Sequence, residues 1–422
     1  KTIQAIALML LRAEAGPAII IAPTSVCSNW VREIARFAPA LRTFVLGPGD
    51  RGAMINDLAP GDVLVTSYGL LAGEIDKLSE RTFATAVADE AQAFKNAGTQ
   101  RSRAMMQLVA DFRVITTGTP VENHLGELWN LFHFINRGLL GTLSHFTEVY
   151  SRPIVDGDEA ASERLRNLTS PFILRRLKSE VLTELPPRTD ITLNVALSDE
   201  ETALYEALRR EAASELESAA DNNMQMIALA RITRLRRAVC NPALVLPESG
   251  IASSKLQRLE QLVGDLIEND HRALVFSQFV SHLKLIAERF DELGFSYQYL
   301  DGKTPVKQRD RAVEAFQAGD GQLFLISLKA GGTGLNLTAA DYVIHMDPWW
   351  NPAIEDQASD RAHRIGQLRP VTVYRLIAED TIEQKIVELH ARKRELASEL
   401  LRGADIGAKL TFEEMLSLID SG

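Results

Sequence analysis

Short, wholly apolar runs alternate with amphipathic stretches over the first 135 residues of the chain. "PAIIIAP", "DVLVTSY", "FATAVADE" and "FRVITTGT" read as strands, and their unbroken apolarity means that both faces are covered, as in a parallel sheet clothed by helices. "KTIQAIALMLL" predicts a helix with Ile3, Ile6, Ala7, Leu10 and Leu11 on one face. "SNWVREIARF" predicts another, with Trp30, Ile34 and Phe37 at helical spacing and Ser28 or Asn29 as N-cap. The pattern returns over 271–378, where "RALVFSQ", "SYQYLDG", "QLFLISL", "DYVIHMD" and "VTVYRLI" predict five strands separated by stretches such as "HLKLIAERFDELG". Two α/β units with parallel sheets follow.

Between them, residues 141–250 are rich in Glu, Arg, Leu and Ala and predict long helices at "DEETALYEALRREAASELES" and "MIALARITRLRRAV". Ser198 followed by Glu201 is a capping box for the first of these. "VDGDEAAS" and "SAADNN" read as exposed loops, "IEQKIVELHARKRELASELL" as one mostly polar helix, and Thr411 with Glu414 as the cap of a short last one. The expected domains are 1–140, a helical 141–250, 251–400 and a helical tail at 401–422.

Composition narrows the class. A length of 422 residues with 46% hydrophobic and 24% charged positions fits two or three ordinary globular domains. No apolar run approaches the roughly 20 residues of a membrane span, and no signal peptide is evident, so a cytoplasmic location is expected. The only cysteines, Cys27 and Cys240, lie far apart without a CxxC pair, which disfavours a disulfide framework or a zinc site and suggests small core fillers. A net charge of −10 argues against coating nucleic acid through overall electrostatics. Local basic tracks remain open at Arg175–Arg176–Lys178, Arg231–Arg234–Arg236–Arg237 and Arg361–Arg364–Arg369, each of which could equally be a solvated helix face.

"VADEAQ" ends an apolar strand with Asp89–Glu90, where open parallel sheets bind ligands. If the ligand is a Mg-nucleotide, Asp89 holds the metal, usually through water, and Glu90 polarises the attacking water; the alternative is a solvated turn. Lys1–Thr2 matches the end of a phosphate loop, G-x-x-x-x-G-K-[ST], and heads an apolar helix. A second candidate, Gly302–Lys303–Thr304, fails because Tyr297 stands where the first glycine belongs and Pro305 follows in place of a long apolar helix. The hydroxyl-rich turn Thr117–Gly118–Thr119–Pro120 could sense phosphate or simply cap a helix. "SLKAGGTGLNL", with Gly331, Gly332 and Gly334, fails the dinucleotide fingerprint at Leu337 but could grip a sugar–phosphate backbone through Ser327, Lys329, Thr333 and Asn336. Arg361 and Arg364 share a face if helical, as arginines presented to a γ-phosphoryl group do at a gain of roughly 10³–10⁵ in rate, or they form an ordinary surface pair.

In this order these stretches resemble the SWI/SNF-related family of DNA translocases in helicase superfamily two. The matching segments include "KTIQAIA", "DEAQAFKN", "TGTPVENHLGELWNLFHFI", "PFILRRLKSEVLTELPPRT", "ITRLRRAVCNPALV", "YLDGKT" and "DPWWNPAIEDQASDRAHRIGQ". The resemblance implies two RecA-like parallel-sheet lobes with α-helical insertions and ATP bound in the cleft between the lobes. It places Lys1 and Thr2 on phosphate and Mg, Asp89 and Glu90 as the acidic motif, Gly332 and Gln357 beside the nucleotide, and Arg361 and Arg364 as fingers. Thr24, Ser67, Ser277, Lys303, Lys329 and Thr333 fall in segments that look like the family's DNA-backbone contacts. "DEAQ" and Glu122, where many members have Gln, resemble the bacterial branch and make nucleosomes an unexpected substrate.

The expected function is a DNA-stimulated ATPase that moves along duplex DNA as a monomer, nucleoid-associated in a bacterial cytoplasm. A strand-separating DNA or RNA helicase, or an ATP-switched scaffold acting on a protein such as RNA polymerase, are the other readings. The glycine-rich half of the phosphate loop and an adenine pocket are expected upstream of Lys1. Titration calorimetry should therefore find weak or no ATP binding by residues 1–422 and firm binding by a chain extended upstream; tight binding by the shorter chain would overturn this expectation.

Overall fold

The computed structural model describes residues 1–118, 125–174, 176, 182, 184–218, 224–331, 335–389 and 418–419. These form two compact units, the first ending at residue 174 among the described residues and the second beginning at Arg176.

The first unit is built on β1 (Ala18–Ala22), β2 (Arg42–Val45), β3 (Asp62–Ser67), β4 (Thr82–Asp89) and β5 (Val109–Thr116), all parallel in the order β2-β3-β1-β4-β5. The centre is β1, where Ile20 pairs in register with Val65 on one side and Val87 on the other. Ile19, Ile20 and Ile21 are wholly buried, which explains the unbroken apolar run, and each contributes about 1.5–3 kcal/mol of burial free energy. The edge strand β2 reads "RTFV" and is largely exposed, so it carries no apolar signal and escapes the sequence reading.

Two helices depart from the expected faces. In α1 (Thr2–Leu11) the buried side is Ala5, Ile6 and Met9, while Ile3, Leu10 and Leu11 are exposed. The pattern had counted large side chains, but the helix turns its small Ala5 and its Met9 toward Ala18, Ile20 and Trp30. In α2 (Thr24–Phe37) the helix starts four residues before Ser28, so Ser28 and Asn29 lie inside it rather than at its cap, and Phe37 is partly exposed while Trp30 and Ile34 are buried. The start is set by Pro23, whose carbonyl accepts the Val26 N–H at 2.8 Å. Further on, α3 (Leu125–Ile135) and α4 (Glu159–Thr169) form a satellite core through Leu128, Trp129, Phe132, Phe146 and Leu165.

The second unit has six parallel strands: β6 (Arg188–Val195), β7 (Ala273–Ser277), β8 (Tyr297–Leu300), β9 (Leu323–Ser327), β10 (Tyr342–His345) and β11 (Val371–Ala378), ordered β6-β11-β10-β7-β9-β8. The unforeseen member is β6, which pairs with β11 over its whole length. It lies at the sheet edge with mostly polar, exposed residues and so looked like part of the helical middle. That middle stretch divides, with α4 in the first unit and α5 (Asp199–Ser218) and α6 (Met224–Cys240) in the second. The latter two pack on Ile382 and Ile386. The helices α7 (Ser254–Glu268), α8 (Val280–Leu293), α9 (Val306–Ala318) and α10 (Pro352–Ser359) complete the unit. Thr411 and Glu414 lie outside the described residues, among which no helix is long and apolar enough to cross a membrane.

The capping box forms as read: Ser198 N–H donates to Glu201 Oε2 at 3.0 Å and Glu201 N–H donates to Ser198 Oγ at 3.2 Å. Glu201 is almost fully buried because it also accepts from the Ser254 N–H at 3.0 Å and from the Ser254 hydroxyl, at the start of α7. Removing this carboxylate strands donors at two helix starts, so Glu201→Ala should destabilise the protein by about 1–3 kcal/mol, with Glu201→Gln losing less. Urea unfolding followed by circular dichroism reads this, and an unchanged midpoint for the Ala variant would show that the two helix starts are held by other means.

Candidate functional site

Parallel strands all leave their sheet at one edge, and in the first unit the chemistry-bearing residues gather there. Asp89 is the last residue of β4 and lies in register with Thr116, the last residue of β5. Its Oδ2 accepts the indole N–H of Trp30 at 2.9 Å, and its Oδ1 accepts the Thr116 hydroxyl and the Glu90 N–H, the latter at 3.0 Å. The Tyr68 hydroxyl donates to the Asp89 carbonyl at 2.8 Å. Burial first, then the charges of Asp89 and Glu90, push the Tyr68 phenol well above its ordinary range, so it serves as a neutral donor. Burial likewise raises the neighbouring Cys27 thiol to about 11, which leaves it an inert core residue as expected.

Glu90 adopts φ 50° and ψ 54°, the left-handed region that a residue with a side chain enters at a cost of order 1–3 kcal/mol. Its Oε2 accepts from Gln92 Nε2 at 2.7 Å. Gln92 Oε1 accepts the Thr117 hydroxyl at 3.0 Å, and the Thr117 carbonyl accepts Lys1 Nζ. A short chain of side chains thus links Lys1, the Thr117 turn and the acidic pair, three features that the sequence placed in separate segments. Thr2 opens α1 beside them.

Two supporting residues went unseen in the sequence. Trp30 reads as a core aromatic, but its N–H orients Asp89. Asn130, buried on α3, donates to the Phe94 carbonyl at 2.7 Å and to Ser102 Oγ at 2.9 Å, fixing the turn that follows Glu90. A lone amide within "LWNLFHF" was the available signal.

Of the residues expected on a nucleic-acid backbone, Thr24, Lys303 and Lys329 are exposed. Ser67 is buried and its hydroxyl accepts the Leu70 N–H at 3.2 Å; Ser277 is buried and donates to Asp347 Oδ2 at 2.5 Å. Those two hydroxyls face inward and hold local structure. Lys303 sits in a turn made by Asp301, whose Oδ1 accepts the Lys303 N–H at 2.8 Å. The helix that follows Pro305, α9, is mostly polar and only Phe316 of it is buried, so it is not the apolar helix a phosphate loop would need. Gly331 is required by packing, since a Cβ there would come within 2.4 Å of the Phe276 ring. Gly332, Thr333 and Glu122 lie outside the described residues.

Gln357 is on α10, but that helix ends at Ser359, so Arg361 and Arg364 lie on the following turns and the helical spacing expected for them is not realised. The turns are organised by buried Gln367, whose amide donates to the carbonyls of Ala340 at 2.7 Å, Ala362 at 3.1 Å and Thr338 at 3.2 Å, while its oxygen accepts the Leu368 and Arg369 N–H groups. Arg361 is mostly buried and Arg364 half-buried. On the other side of α10, Arg188 of β6 bridges Asp190 and Asp356, each at 2.8 Å, and Arg375 of β11 bridges Glu355 at 3.0 Å and Asp190 at 2.6 Å.

The SNF2-related domain matches residues 1–244 and the helicase conserved C-terminal domain residues 254–366. A putative ATP-dependent helicase/translocase of Bacillus subtilis, YwqA, is 39% identical over 99% of this chain and 47% of its own length. The human SWI/SNF-related matrix-associated actin-dependent regulator of chromatin subfamily A member 1 is 34% identical over all of this chain and 43% of its own. The Sulfolobus solfataricus SWI2/SNF2 ATPase core, solved in complex with dsDNA, is 33% identical over all of this chain and 91% of that one, with a TM-score of 0.48. The chain spans less than half the length of these two curated relatives. With the first domain alone covering more than half its residues, the chain belongs to the SNF2-related family of ATP-dependent helicases and translocases.

Proposed function

We propose that this chain is the motor core of a DNA-stimulated ATPase that moves along duplex DNA. The observation that carries the reading is the acidic pair: Asp89 is held by three donors at the carboxyl edge of the sheet, and Glu90 is turned out of the strand by a left-handed backbone. Asp89 keeps an unused lone pair on Oδ2, which accepts only the Trp30 N–H, so it would fit a hydrated Mg that arrives with ATP, a cation that would neutralise phosphate charge. Asp89 would hold that metal through its bound water. Glu90 accepts a proton from the attacking water, with Gln92 fixing its carboxylate. Lys1 and Thr2 are assigned to the phosphates, and Arg361, Arg364 and Gln357 to charge and orientation in phosphoryl transfer.

The DNA part of the proposal is supported by the relative solved on dsDNA and by the exposure of Thr24, Lys303 and Lys329. Contacts to phosphates read no sequence, so binding should be non-specific, and the observed affinity should fall steeply with salt.

Glu90→Gln should lower ATP turnover by about 10²-fold or more with nucleotide affinity kept, measured on the full-length chain; retained turnover would remove Glu90 from its role. Duplex DNA should stimulate wild-type turnover, and Lys303→Ala or Lys329→Ala should each reduce the salt slope of DNA binding by about one. If DNA has no effect on turnover, the translocase reading fails and an ATP-switched scaffold gains. Release of a single strand from a tailed duplex would instead establish strand separation.

A further inference from the structure

The second unit contains a buried cluster that the nucleotide chemistry does not use. Cys240 is the last residue of α6, His282 lies in the first turn of α8, and Asp347 follows β10. The thiol, an imidazole nitrogen and a carboxylate oxygen of these three lie within 4.8 Å of one another. All are buried, Cys240 and His282 at 0% exposure and Asp347 at 2%. Among the described residues, neither ring nitrogen of His282 has a hydrogen-bond partner. A buried imidazole in that condition has lost its water at both nitrogens without compensation.

We infer that Cys240, His282 and Asp347 form a three-residue binding site for a zinc-class cation. The donor set of sulfur, imidazole nitrogen and carboxylate oxygen is the zinc set. Bonds of about 2.0–2.3 Å need the three donor atoms to draw closer together than the 4.8 Å within which they now lie. The Asp347 carboxylate is fixed in place by the Ser277 hydroxyl on Oδ2 and the Gln278 N–H on Oδ1, at 2.5 and 3.1 Å. The Cys240 thiol already points at a proton acceptor, Glu383 Oε1, 3.9 Å away. Binding exchanges the S–H bond for a bond from sulfur to the metal and releases one proton per metal bound, with Glu383 Oε1 as the nearest acceptor.

Charge selects the metal class. Lys255 is paired with Glu383, and Arg236 donates to Gln278 Oε1 at 3.2 Å and to the Pro348 carbonyl while its charge is offset by Asp347. A divalent cation that displaces the thiol proton adds one net positive charge to this interior. A hard cation such as Mg or Ca, which leaves the thiol protonated, adds two. The site therefore discriminates in favour of a thiolate-binding metal. Its three ligands come from segments far apart in sequence, which is why cysteine spacing gave no hint of it.

The test is metal analysis of the full chain after equilibration with zinc and gel filtration. About one zinc per chain is expected, with Cys240→Ser and His282→Phe each losing it. Because His282→Phe keeps an aromatic ring in the core, the variant should stay folded in chelator, with the circular dichroism of the chelated wild type, while zinc should raise the melting temperature of the wild type alone. Cobalt should give a thiolate charge-transfer band that Cys240→Ser abolishes. A wild-type chain without stoichiometric zinc, or variants that keep it, would overturn the site. None of these readouts depends on ATP turnover, so they are independent of the function proposed above.

Discussion

A parallel ladder sends every strand out of its sheet at the same edge, and both units of this protein are organised by that constraint. In the first unit the register that pairs Asp89 with Thr116 also places the Thr117 turn against Gln92, and the amine of Lys1 closes the group. Nothing in these residue types alone brings them together. The wholly buried strands β1, β7 and β9 make the edge rigid, because each is flanked by a parallel neighbour on both sides.

The second unit adds an interior of a different kind. Lys255 and Glu383, both fully buried, are in contact, and the ammonium also donates to the carbonyls of Met346 at 2.7 Å and Leu376 at 3.0 Å. Such a pair gives little net stability over well-packed apolar residues, but losing one partner costs about 3–5 kcal/mol. It ties α7 to the ends of β10 and β11, so the geometry around Asp347 and Ser277 is specified by charge as well as by packing. Both the zinc-class site and the inward-facing Ser277 hydroxyl lie within this polar interior.

Much of this was legible in the chain. Nine of the strands announced themselves as apolar runs, unbroken where both faces are buried, as in β1, β7 and β9, and interrupted in β5 and β8, which lie at sheet edges. The two that did not, β2 and β6, are edge strands whose side chains meet solvent. The acidic pair was readable because both residues are adjacent at a strand end, and the capping box because its spacing is local. The face of α1 was misjudged because size was taken for burial, although Ala5 and Met9 are the residues that fit against β1. Trp30, Asn130 and Gln367 escaped because their polar atoms act at distances along the chain that no local pattern records.

Glu201 closes the start of α5 with one oxygen and the start of α7 with both, so a single carboxylate terminates two helices. Fraying at either end must release the same group. The two helices are therefore coupled as one opening unit: their first turns should exchange amide hydrogens together, with a common opening free energy, rather than as two independent ends. A residue chosen by local sequence to begin one helix has become the hinge of cooperativity between two.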